Sequence, residues 1–233
     1  MKLVIVAGTP GSGKTSILIH TIKELLSRGS SVSVVKIDCL TTSDDDRYKR
    51  LKIPVRVGIS ADMCPDHYAI YNTQDMVNWA FEKNSDILVI ETAGLCLRCA
   101  PYVNFGLAVC VVDTTSGPNT PVKIGPLLTT ADVVISTKGD LVSQAEREVF
   151  RQRIFDINKD CSMIEANGLS GVGAAEMADI ISIMKDTELD EMELRHEPPL
   201  AICTLCTGER RVAKKHHFGV LRSLKGKEEY AGE

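Results

Sequence analysis

The residues Gly8–Thr15, GTPGSGKT, have the types and the spacing that bind a chain of phosphates. They fit the pattern G-x-x-x-x-G-K-[ST] and stand between an apolar run and a helical pattern. The glycines let backbone amides converge on one point, the lysine reaches the terminal phosphates, and the threonine hydroxyl ligates Mg²⁺. We therefore predict a nucleoside triphosphate site formed by Gly8, Gly11, Ser12, Gly13, Lys14, Thr15 and Ser16.

Two cysteine pairs have the chemistry of soft metal ions. Cys96 and Cys99 are three positions apart, and Cys203 and Cys206 repeat this spacing near the end of the chain. Two such thiolates can chelate one ion, and four can complete a tetrahedral zinc site or hold an iron–sulfur cluster. The pairs could join within one chain, or Cys96 and Cys99 could meet their counterparts across a two-fold dimer. A redox dithiol is the alternative for either pair.

The elements that must position these residues follow an alternating pattern of short apolar runs and longer helical segments. Continuous apolar strands separated by helices are typical of a parallel sheet covered on both faces. The sequence therefore predicts a doubly wound, mostly parallel α/β fold of the P-loop NTPase class. The predicted strands are 2–8, 31–37, 55–59, 86–91, 107–113, 132–137 and 161–166, and the helices are 14–28, 67–83, 145–158 and 173–185.

The composition bounds the class of protein and its compartment. The 233 residues are 44% hydrophobic and 25% charged, with a net charge of −4, which argues against a surface that coats nucleic acid. No apolar run reaches the roughly 18 residues of a membrane span, and no secretory signal precedes the glycine-rich loop. We expect a cytoplasmic protein with no nucleic-acid or membrane partner. Of its eight cysteines, the clustered pairs indicate metal or redox chemistry, whereas Cys39, Cys110 and Cys161 are expected to be small buried hydrophobic residues.

The pattern of alternating elements weakens after residue 186, which suggests a boundary. Residues 187–200 are acidic and contain two prolines, as in a linker or a frayed helix. Residues 201–233 carry the second cysteine pair and a basic tail. We therefore expect a nucleotide-binding domain over 1–186, a linker over 187–200 and a small cysteine-containing appendage over 201–233.

Two later segments bear on which base is bound. In ISTKGD, residues 135–140, Lys138 and Asp140 resemble the N-K-x-D guanine box, with Thr137 in place of the usual Asn. An aspartate there accepts from guanine N1–H and its exocyclic amine, while the lysine stem packs along the base. The segment EANGLSGVG resembles a further guanine box, with Asn167 and Ser170 near the base edge. GTP is therefore the expected nucleotide, with ATP not excluded.

The segment DILVIETAG, residues 86–94, carries the family resemblance. It ends a buried strand with Glu91, where most small GTPases have the Asp of D-x-x-G. This feature resembles the metallocentre-assembly branch of the SIMIBI-class P-loop GTPases. That branch includes the urease accessory GTPase, the hydrogenase nickel-incorporation GTPase and cobalamin-related accessory proteins. The resemblance runs from residue 1 to about residue 184.

This resemblance implies a set of roles for residues around the phosphates. Asp38 lies in IDCLTTSDD, which looks like the first switch of the urease accessory type. It would hold Mg²⁺ with Thr15 and Glu91, and Lys14, Glu91 and Asp38 would be the catalytic residues. Gly94 would lie in the turn that senses the γ-phosphate. The resemblance also implies a nucleotide-dependent homodimer.

The urease-type GTPase carries its metal on a Cys-Pro-His tripeptide at the dimer interface. The matching stretch here is DMCPDHYAI, in which Cys64 and Pro65 agree, Asp66 intervenes and His67 comes one place late. Cys64 is therefore a candidate metal ligand beside the two cysteine pairs. The metal itself, zinc, nickel or an iron–sulfur cluster, stays open.

The leading hypothesis is a nucleotide-gated metallochaperone that delivers its cargo to a client metalloenzyme or its accessory proteins. The alternative is a GTPase switch that guards or activates a cobalamin or radical enzyme, with structural zinc on the cysteines. A small-molecule P-loop kinase is a third class, for which the sequence lacks an arginine-rich lid.

Overall fold

The computed structural model describes most of the chain. Its residues are 1–94, 96, 99–187, 192–197, 208–217, 222–224 and 229–230. Cys203 and Cys206, with much of the expected appendage, lie outside the described residues.

A single twisted sheet organises the described part of the chain. Its strands are β1 (Lys2–Gly8), β2 (Val32–Asp38), β3 (Val55–Ile59), β4 (Ile87–Glu91), β5 (Leu107–Asp113), β6 (Val133–Thr137), β7 (Ser162–Ala166) and β8 (Glu229–Tyr230). The spatial order is β7-β6-β5-β1-β4-β2-β3-β8, and all neighbours are parallel except β3 and β8. The seven parallel strands confirm the predicted doubly wound α/β fold.

Four long helices and three short ones accompany these strands in the described residues. They are α1 (Lys14–Ser27), α2 (Asp44–Lys49), α3 (Pro65–Glu82), α4 (Thr120–Lys123), α5 (Pro126–Thr129), α6 (Gln144–Ile157) and α7 (Ala174–Ile183). The four long helices match the predicted ones to within two residues at their starts. The helices α2, α4 and α5 were not predicted, because four to six residues are too few to display a helical period. None of these helices has the length and apolarity of a membrane span.

Two apolar layers cover the two faces of the sheet. On one face α1 and α7 pack through residues such as Ile22 and Ile181, both without exposed surface. On the other face α3 and α6 pack through residues such as Met76 and Ile154. Because the strands are buried on both sides, their sequences are almost continuously apolar, which is why they could be recognised.

The carboxyl ends of the parallel strands meet at one edge, where α/β proteins bind their ligands. The strand order reverses at β1, which lies between β4 and β5. The loop Gly8–Thr15 leaves β1 at this switch point, Asp38 ends β2 and Glu91 ends β4. The topology therefore brings the predicted phosphate-binding residues to one place.

The described residues of the expected linker lie against the domain. Leu194 forms an antiparallel bridge with Val103. The Arg195 guanidinium donates to both carboxylate oxygens of Asp132, at 2.7 and 2.8 Å, and to the carbonyl of Gly106. Residues 192–197 are thus held by backbone pairing and by a bidentate ion pair.

The described C-terminal residues contact α3. His67 Nε2 and His217 Nδ1 lie 3.0 Å apart, and His217 Nε2 is 3.1 Å from the carbonyl of Arg211. The Leu224 amide donates to Asn72 Oδ1 at 2.8 Å. These contacts fix the described part of the C-terminal segment along the first half of α3.

Candidate functional site

The loop between β1 and α1 has the shape of a phosphate cradle. Gly11 and Gly13 have φ angles of 73° and 86°, in the region that glycine adopts readily, and Gly13 caps α1. The Lys14 ammonium donates to the carbonyls of Gly8 and Thr9, at 2.9 and 3.0 Å. Burial lowers the pKa of Lys14, against the opposing effect of Glu91. The loop thus holds the Lys14 side chain at the N-terminus of α1.

A cavity of about 390 Å³ opens beside this loop. Its volume and its charged walls suit a chain of phosphates with a cation. The predicted residues in its walls are Gly11, Gly13, Lys14, Thr15, Ser16, Asp38 and Glu91, and the lining residues that were not predicted include Lys36, Asp44 and Arg47.

Glu91 is the centre of a buried hydrogen-bond network in this cavity. Its carboxylate has no exposed surface. The Thr15 hydroxyl lies 2.7 Å from Oε1, the Lys36 ammonium donates to the same oxygen at 2.8 Å, and the Tyr48 hydroxyl donates to Oε2 at 2.7 Å. Burial, followed by the charge of Glu91, raises the pKa of Tyr48 well above its usual value, which keeps this donor protonated. The chain therefore fixes both carboxylate oxygens.

Asp44, at the start of α2, is a second carboxylate in the network. Its Oδ2 lies 3.0 Å from the Thr15 hydroxyl and 3.2 Å from the Lys36 ammonium. Burial alone would raise the pKa of Asp44, but the charge of Lys36 and the hydrogen bonds lower it overall. The run of three aspartates at 44–46 was the available signal. Asp38 also lines the cavity, and its Oδ1 accepts from the Cys39 amide.

The oxygens of this network are the hard donors that Mg²⁺ prefers. The Lys36 ammonium is already held between Glu91 and Asp44, so the pocket accommodates positive charge. The residues present therefore fit Mg²⁺, with Thr15, Glu91 and Asp44 nearest to one another and Asp38 on the same wall.

Arg47 supplies a further cation at the rim of the cavity. Its guanidinium donates to Ser16 Oγ at 3.0 Å and lies 3.4 Å from Asp44 Oδ1. No arginine was predicted at the phosphates, because α2 was not recognised and only the fold brings Arg47 there.

A second cavity, of about 240 Å³, contains three of the four predicted base-binding residues. Asp140 is exposed at its edge, and Asn167 and Ser170 line it. Asn167 Oδ1 accepts from the amides of Leu169 and Ser170, at 2.8 and 3.1 Å, which fixes the turn. The two predicted base segments therefore lie together, although they are distant in sequence.

The fourth base-binding residue, Lys138, crosses to the phosphate loop. Its ammonium donates to the Gly11 carbonyl at 2.8 Å and to Asp113 Oδ2 at 2.6 Å. The preceding Thr137 donates to the Ser12 carbonyl at 2.6 Å. The segment with Thr in place of Asn thus fastens the end of β6 to the phosphate loop.

Gly94 connects the phosphate loop to the first cysteine pair. It has a φ of 70°, and a Cβ atom built there would lie 1.6 Å from the carbonyl oxygen of Gly8. Only glycine fits this approach, so the turn after β4 rests directly on the phosphate loop. Cys96 follows two residues later.

Three side chains beyond this turn form a group that we call the thiol–carboxylate cluster: Cys64, Asp66 and Cys96. One donor atom from each lies within 4.8 Å of the other two. Cys64 precedes α3 and Asp66 lies in its first turn. The fold therefore unites a cysteine of the predicted tripeptide region with one cysteine of the first pair.

The cluster is electrostatically unusual. Asp66 has no exposed surface, and its carboxylate makes no well-formed hydrogen bond among the described residues, although the nearby Thr92 hydroxyl is a weak donor that favours the charged form. Burial and the nearby Cys96 thiol raise the pKa of Asp66 to about 8. The hydrogen bond with Cys96, followed by burial, raises the pKa of Cys64. A metal ion would have to displace protons from these groups.

The remaining predicted thiols have different placements. Cys99 is buried and is not one of the three residues of the cluster. Cys203 and Cys206 lie outside the described residues. Asp66 was not predicted as a ligand, because in sequence it merely interrupts a Cys-Pro-His match and only the fold sets it beside Cys96.

Comparison with known sequences identifies the relatives. Residues 2–165 match the family described as CobW/HypB/UreG, nucleotide-binding domain. An uncharacterized protein of Methanocaldococcus jannaschii is 61% identical over the full length of both chains. The urease accessory protein UreG of Edwardsiella ictaluri is 29% identical, over 84% of this chain and all of its own length.

Solved structures share the fold. The hydrogenase maturation factor HypB from Archaeoglobus fulgidus has a TM-score of 0.64 and 22% identity, covering 78% of this chain and 89% of its own. HypB from Helicobacter pylori, solved in complex with nickel, has a TM-score of 0.63 and 18% identity, with coverage of 78% and 86%. Because the family match covers most of the chain, this protein belongs to the CobW/HypB/UreG family, the metallocentre-assembly branch of the SIMIBI-class P-loop GTPases.

Proposed function

We propose that this protein is a nucleotide-gated metallochaperone, which holds a metal ion on cysteine thiolates and delivers it to a metalloenzyme under assembly with hydrolysis of GTP. The observation that carries the proposal is the short connection between the two sites. Gly94 rests on Gly8 of the phosphate loop, and Cys96 follows two residues after it. A structural change at the γ-phosphate can therefore reach a thiol through a few residues.

The residues of the phosphate cavity have the chemistry of phosphoryl transfer. Lys14 would stabilise negative charge on the transferred group, and Thr15, Glu91 and Asp44, which lie close together, would hold Mg²⁺, with Asp38 beside them. When bound, Mg²⁺ neutralises charge on the β- and γ-phosphates. The Glu91 carboxylate, fixed by three donors, keeps its position as the nucleotide changes.

The second cavity supports guanine as the base. The exposed Asp140 carboxylate accepts from guanine N1–H and the exocyclic amine, while Asn167 and Ser170 shape the opposite edge. The stem of Lys138 spans from the base segment to Gly11 and packs along the base. These roles favour GTP over ATP, which lacks both donors.

Gating follows from where the ligands are attached. Cys64 and Asp66 belong to the start of α3, a helix packed into the core, whereas Cys96 belongs to the turn that rests on the phosphate loop. Movement of that turn changes the distance from Cys96 to the other two donors. The nucleotide state would thereby determine how firmly the ion is held.

The relatives support a role in metalloenzyme maturation. The matching proteins include a urease accessory protein and a hydrogenase maturation factor, and one solved HypB holds nickel. We propose a client metalloenzyme or its accessory proteins as partners and a nucleotide-dependent homodimer as the working form. We also retain the division into a domain over 1–186, a connection over 187–200 and a cysteine-containing appendage over 201–233.

The test compares two nucleotide states of the intact protein. Protein purified without oxygen is loaded with zinc or nickel and then with GDP or a non-hydrolysable GTP analogue. The metal retained after gel filtration and the rate of thiol labelling should differ between the two states. Equal retention and equal labelling would remove the gating claim, and hydrolysis of ATP as fast as GTP would remove the base assignment.

A further inference from the structure

We infer that Arg47 binds the α-phosphate of the nucleotide, so that it holds GDP and GTP alike and is not an arginine finger on the γ-phosphate. The choice of guanine and the hydrolytic step rest on the proposed function. The contact with the α-phosphate rests on the geometry of the phosphate cavity, and it involves neither the cysteines nor a second chain.

Arg47 has N–H donors that the described residues do not use. A guanidinium carries five N–H groups in a rigid fork whose shape matches the oxygens of a phosphate. In the described residues its contacts are the Ser16 hydroxyl, at 3.0 Å, and Asp44 Oδ1, at 3.4 Å. The side chain lines the phosphate cavity and is 42% exposed. A phosphate in the cavity can therefore accept from the remaining donors while both contacts persist.

Asp44 separates Arg47 from the part of the cavity that suits Mg²⁺. Asp44 Oδ2 lies 3.0 Å from the Thr15 hydroxyl and 3.2 Å from the Lys36 ammonium, whereas Arg47 approaches the other oxygen, Oδ1. The threonine hydroxyl of a P-loop marks the position of Mg²⁺, which bridges the β- and γ-phosphates. Because Arg47 and Thr15 use different oxygens of Asp44, the guanidinium lies to one side of those two phosphates.

The contact with Ser16 places Arg47 on the side toward the base. A Cβ atom built on Gly168 would lie 2.7 Å from the Ser16 Cβ, so the backbone at Gly168 packs directly on Ser16. Gly168 follows Asn167, which lines the second cavity, whereas Ser16 lines the phosphate cavity. Ser16 therefore lies where the two cavities approach each other. A nucleotide that spans both would place its ribose and α-phosphate there.

The charges in the cavity favour the same assignment. Its lining residues in the described part of the chain include three cations, Lys14, Lys36 and Arg47. The P-loop lysine reaches the β- and γ-phosphates, and Lys36 is held by Glu91 and Asp44. Arg47 is thus the cation that remains for the α-phosphate, and hydrogen bonds between a guanidinium and a phosphate are about twice as strong as those between neutral groups.

This role has a consequence for the hydrolytic cycle. The α-phosphate is present in both GTP and GDP, so Arg47 would fasten α2 to the nucleotide before and after hydrolysis. The signal of hydrolysis would then be left to the turn at Gly94, which rests on the phosphate loop. Loss of Arg47 should raise KM for GTP and leave kcat near its original value, because it removes binding that the substrate and the transition state share.

The test is a double-mutant cycle between the protein and the nucleotide, measured as binding to the full-length chain in the presence of Mg²⁺. Arg47→Gln should bind GDP and a non-hydrolysable GTP analogue about 30-fold more weakly, the loss expected for a hydrogen bond to a charged group. GDPαS carries sulfur in place of one α-phosphate oxygen. One of its diastereomers should bind the unchanged protein about tenfold more weakly than GDP, and should bind Arg47→Gln as GDP does. GDPβS, with sulfur on the β-phosphate, should change the affinity of both proteins by the same factor.

Arg50→Gln is the matched control. Arg50 is exposed at the C-terminal end of the same helix and is not one of the residues that line the phosphate cavity. It should bind GDP and GDPαS as the unchanged protein does. Arg47→Lys keeps the charge without the fork, so it should recover part of the affinity for GDP, and it keeps the cycle available if Arg47→Gln does not fold.

Three results would overturn the inference. Unchanged GDP affinity in Arg47→Gln would mean that Arg47 does not contact the nucleotide. An equal effect of α-sulfur in both proteins would mean that Arg47 only anchors α2 to Ser16. Normal GDP affinity with kcat lowered about 100-fold or more would identify an arginine finger. GDP binding requires neither hydrolysis nor a metal on the cysteines, so the proposed chaperone function can fail while this contact stands. The same cycle with ADP shows whether the base assignment alone is wrong.

Discussion

Two carboxylates in this molecule are equally buried but differ in the hydrogen-bond donors that surround them. Glu91 and Asp66 both have no exposed surface. Glu91 is surrounded by donors from Thr15, Lys36 and Tyr48, whereas Asp66 has a weak donor in the Thr92 hydroxyl and no well-formed hydrogen bond in the described part of the chain. The chain itself thus fixes the first carboxylate firmly and the second only weakly.

The difference has an energetic consequence. Leaving a buried polar group unsatisfied costs about 1–3 kcal/mol, and more when the group is charged. The chain reduces this cost at Asp66 by keeping the proton, since burial raises its pKa to about 8. The nucleotide site is therefore preorganised before its ligand arrives, whereas the thiol–carboxylate cluster, in the proposed function, would gain its full stability only on binding an ion.

Of the variants proposed here, Glu91→Gln should have the largest effect, because it removes the charge of the carboxylate at the nucleotide site. The substitution keeps the size of the side chain but removes the charge that Lys36 and the Mg²⁺ site require. We expect GTP hydrolysis, measured as phosphate release, to fall about 1000-fold, equivalent to about 4 kcal/mol of transition-state stabilisation. Zn²⁺ affinity of the nucleotide-free protein should not change.

Glu148→Gln, an exposed glutamate on α6, is the matched control and should hydrolyse GTP at the original rate. Near-normal hydrolysis by Glu91→Gln would mean that Glu91 is a structural residue. A parallel loss of Zn²⁺ binding would mean that the two sites are not separable in the nucleotide-free protein.

Gly94→Ala addresses the connection between the sites. The added Cβ would meet the Gly8 carbonyl at 1.6 Å, and alanine is strained at this φ. We expect a loss of about 3 kcal/mol in the free energy of unfolding, measured by denaturant titration, and loss of any difference in metal retention between GTP and GDP.

Gly117→Ala is a suitable control for that experiment. Gly117 also has a positive φ, of 97°, but its Cβ would have no neighbour within 4 Å. It should lose only the conformational part, about 1–2 kcal/mol. If both variants lost the same stability and both kept the nucleotide effect, the contact of Gly94 with Gly8 would not transmit the signal.

Binding of Zn²⁺ at the thiol–carboxylate cluster should raise the free energy of unfolding of the protein. At a free Zn²⁺ concentration of 100 times the dissociation constant, a single site adds about 2.7 kcal/mol to the free energy of unfolding. The measurement is thermal or denaturant unfolding of the reduced protein with and without Zn²⁺. Asp66→Asn should lose most of this increment, and an equal increment in both proteins would locate the zinc elsewhere.

The difference between the two carboxylates also explains what the sequence could predict. The phosphate loop, Glu91 and the strands were found because each is a local pattern: fixed spacing of glycines, or an apolar run of strand length. The order of the strands, with its switch point at β1, is not a local pattern and was not predicted.

Residues that act through tertiary contacts were not predictable in this way. Lys36 lies within an apolar strand and Asp44 begins a six-residue helix, and each joins the phosphate site only because β2 and β4 are neighbours. Asp66 interrupted a motif in the sequence, whereas in the fold it lies beside Cys96, thirty positions away. A motif search detects residues at a fixed spacing in the sequence, so it does not find pairs that only the fold brings together.

Lys36→Met tests the smallest of the expected effects, the role of the cation that the chain supplies for itself. Lys36 lies between Glu91 and Asp44, at 2.8 and 3.2 Å, and the two carboxylates keep its pKa raised despite burial. Without it, these carboxylates repel each other and the incoming phosphates unless Mg²⁺ is present.

We therefore expect Lys36→Met to bind a fluorescent GTP analogue about tenfold more weakly in the presence of a chelator, a loss of about 1.4 kcal/mol, and with nearly normal affinity in excess Mg²⁺. Lys23→Met, an exposed lysine on α1, should show no change in either condition. An equal loss with and without Mg²⁺ would mean that Lys36 contributes packing or overall charge, and that the phosphate site owes its order to Thr15 and Tyr48 rather than to this ammonium group.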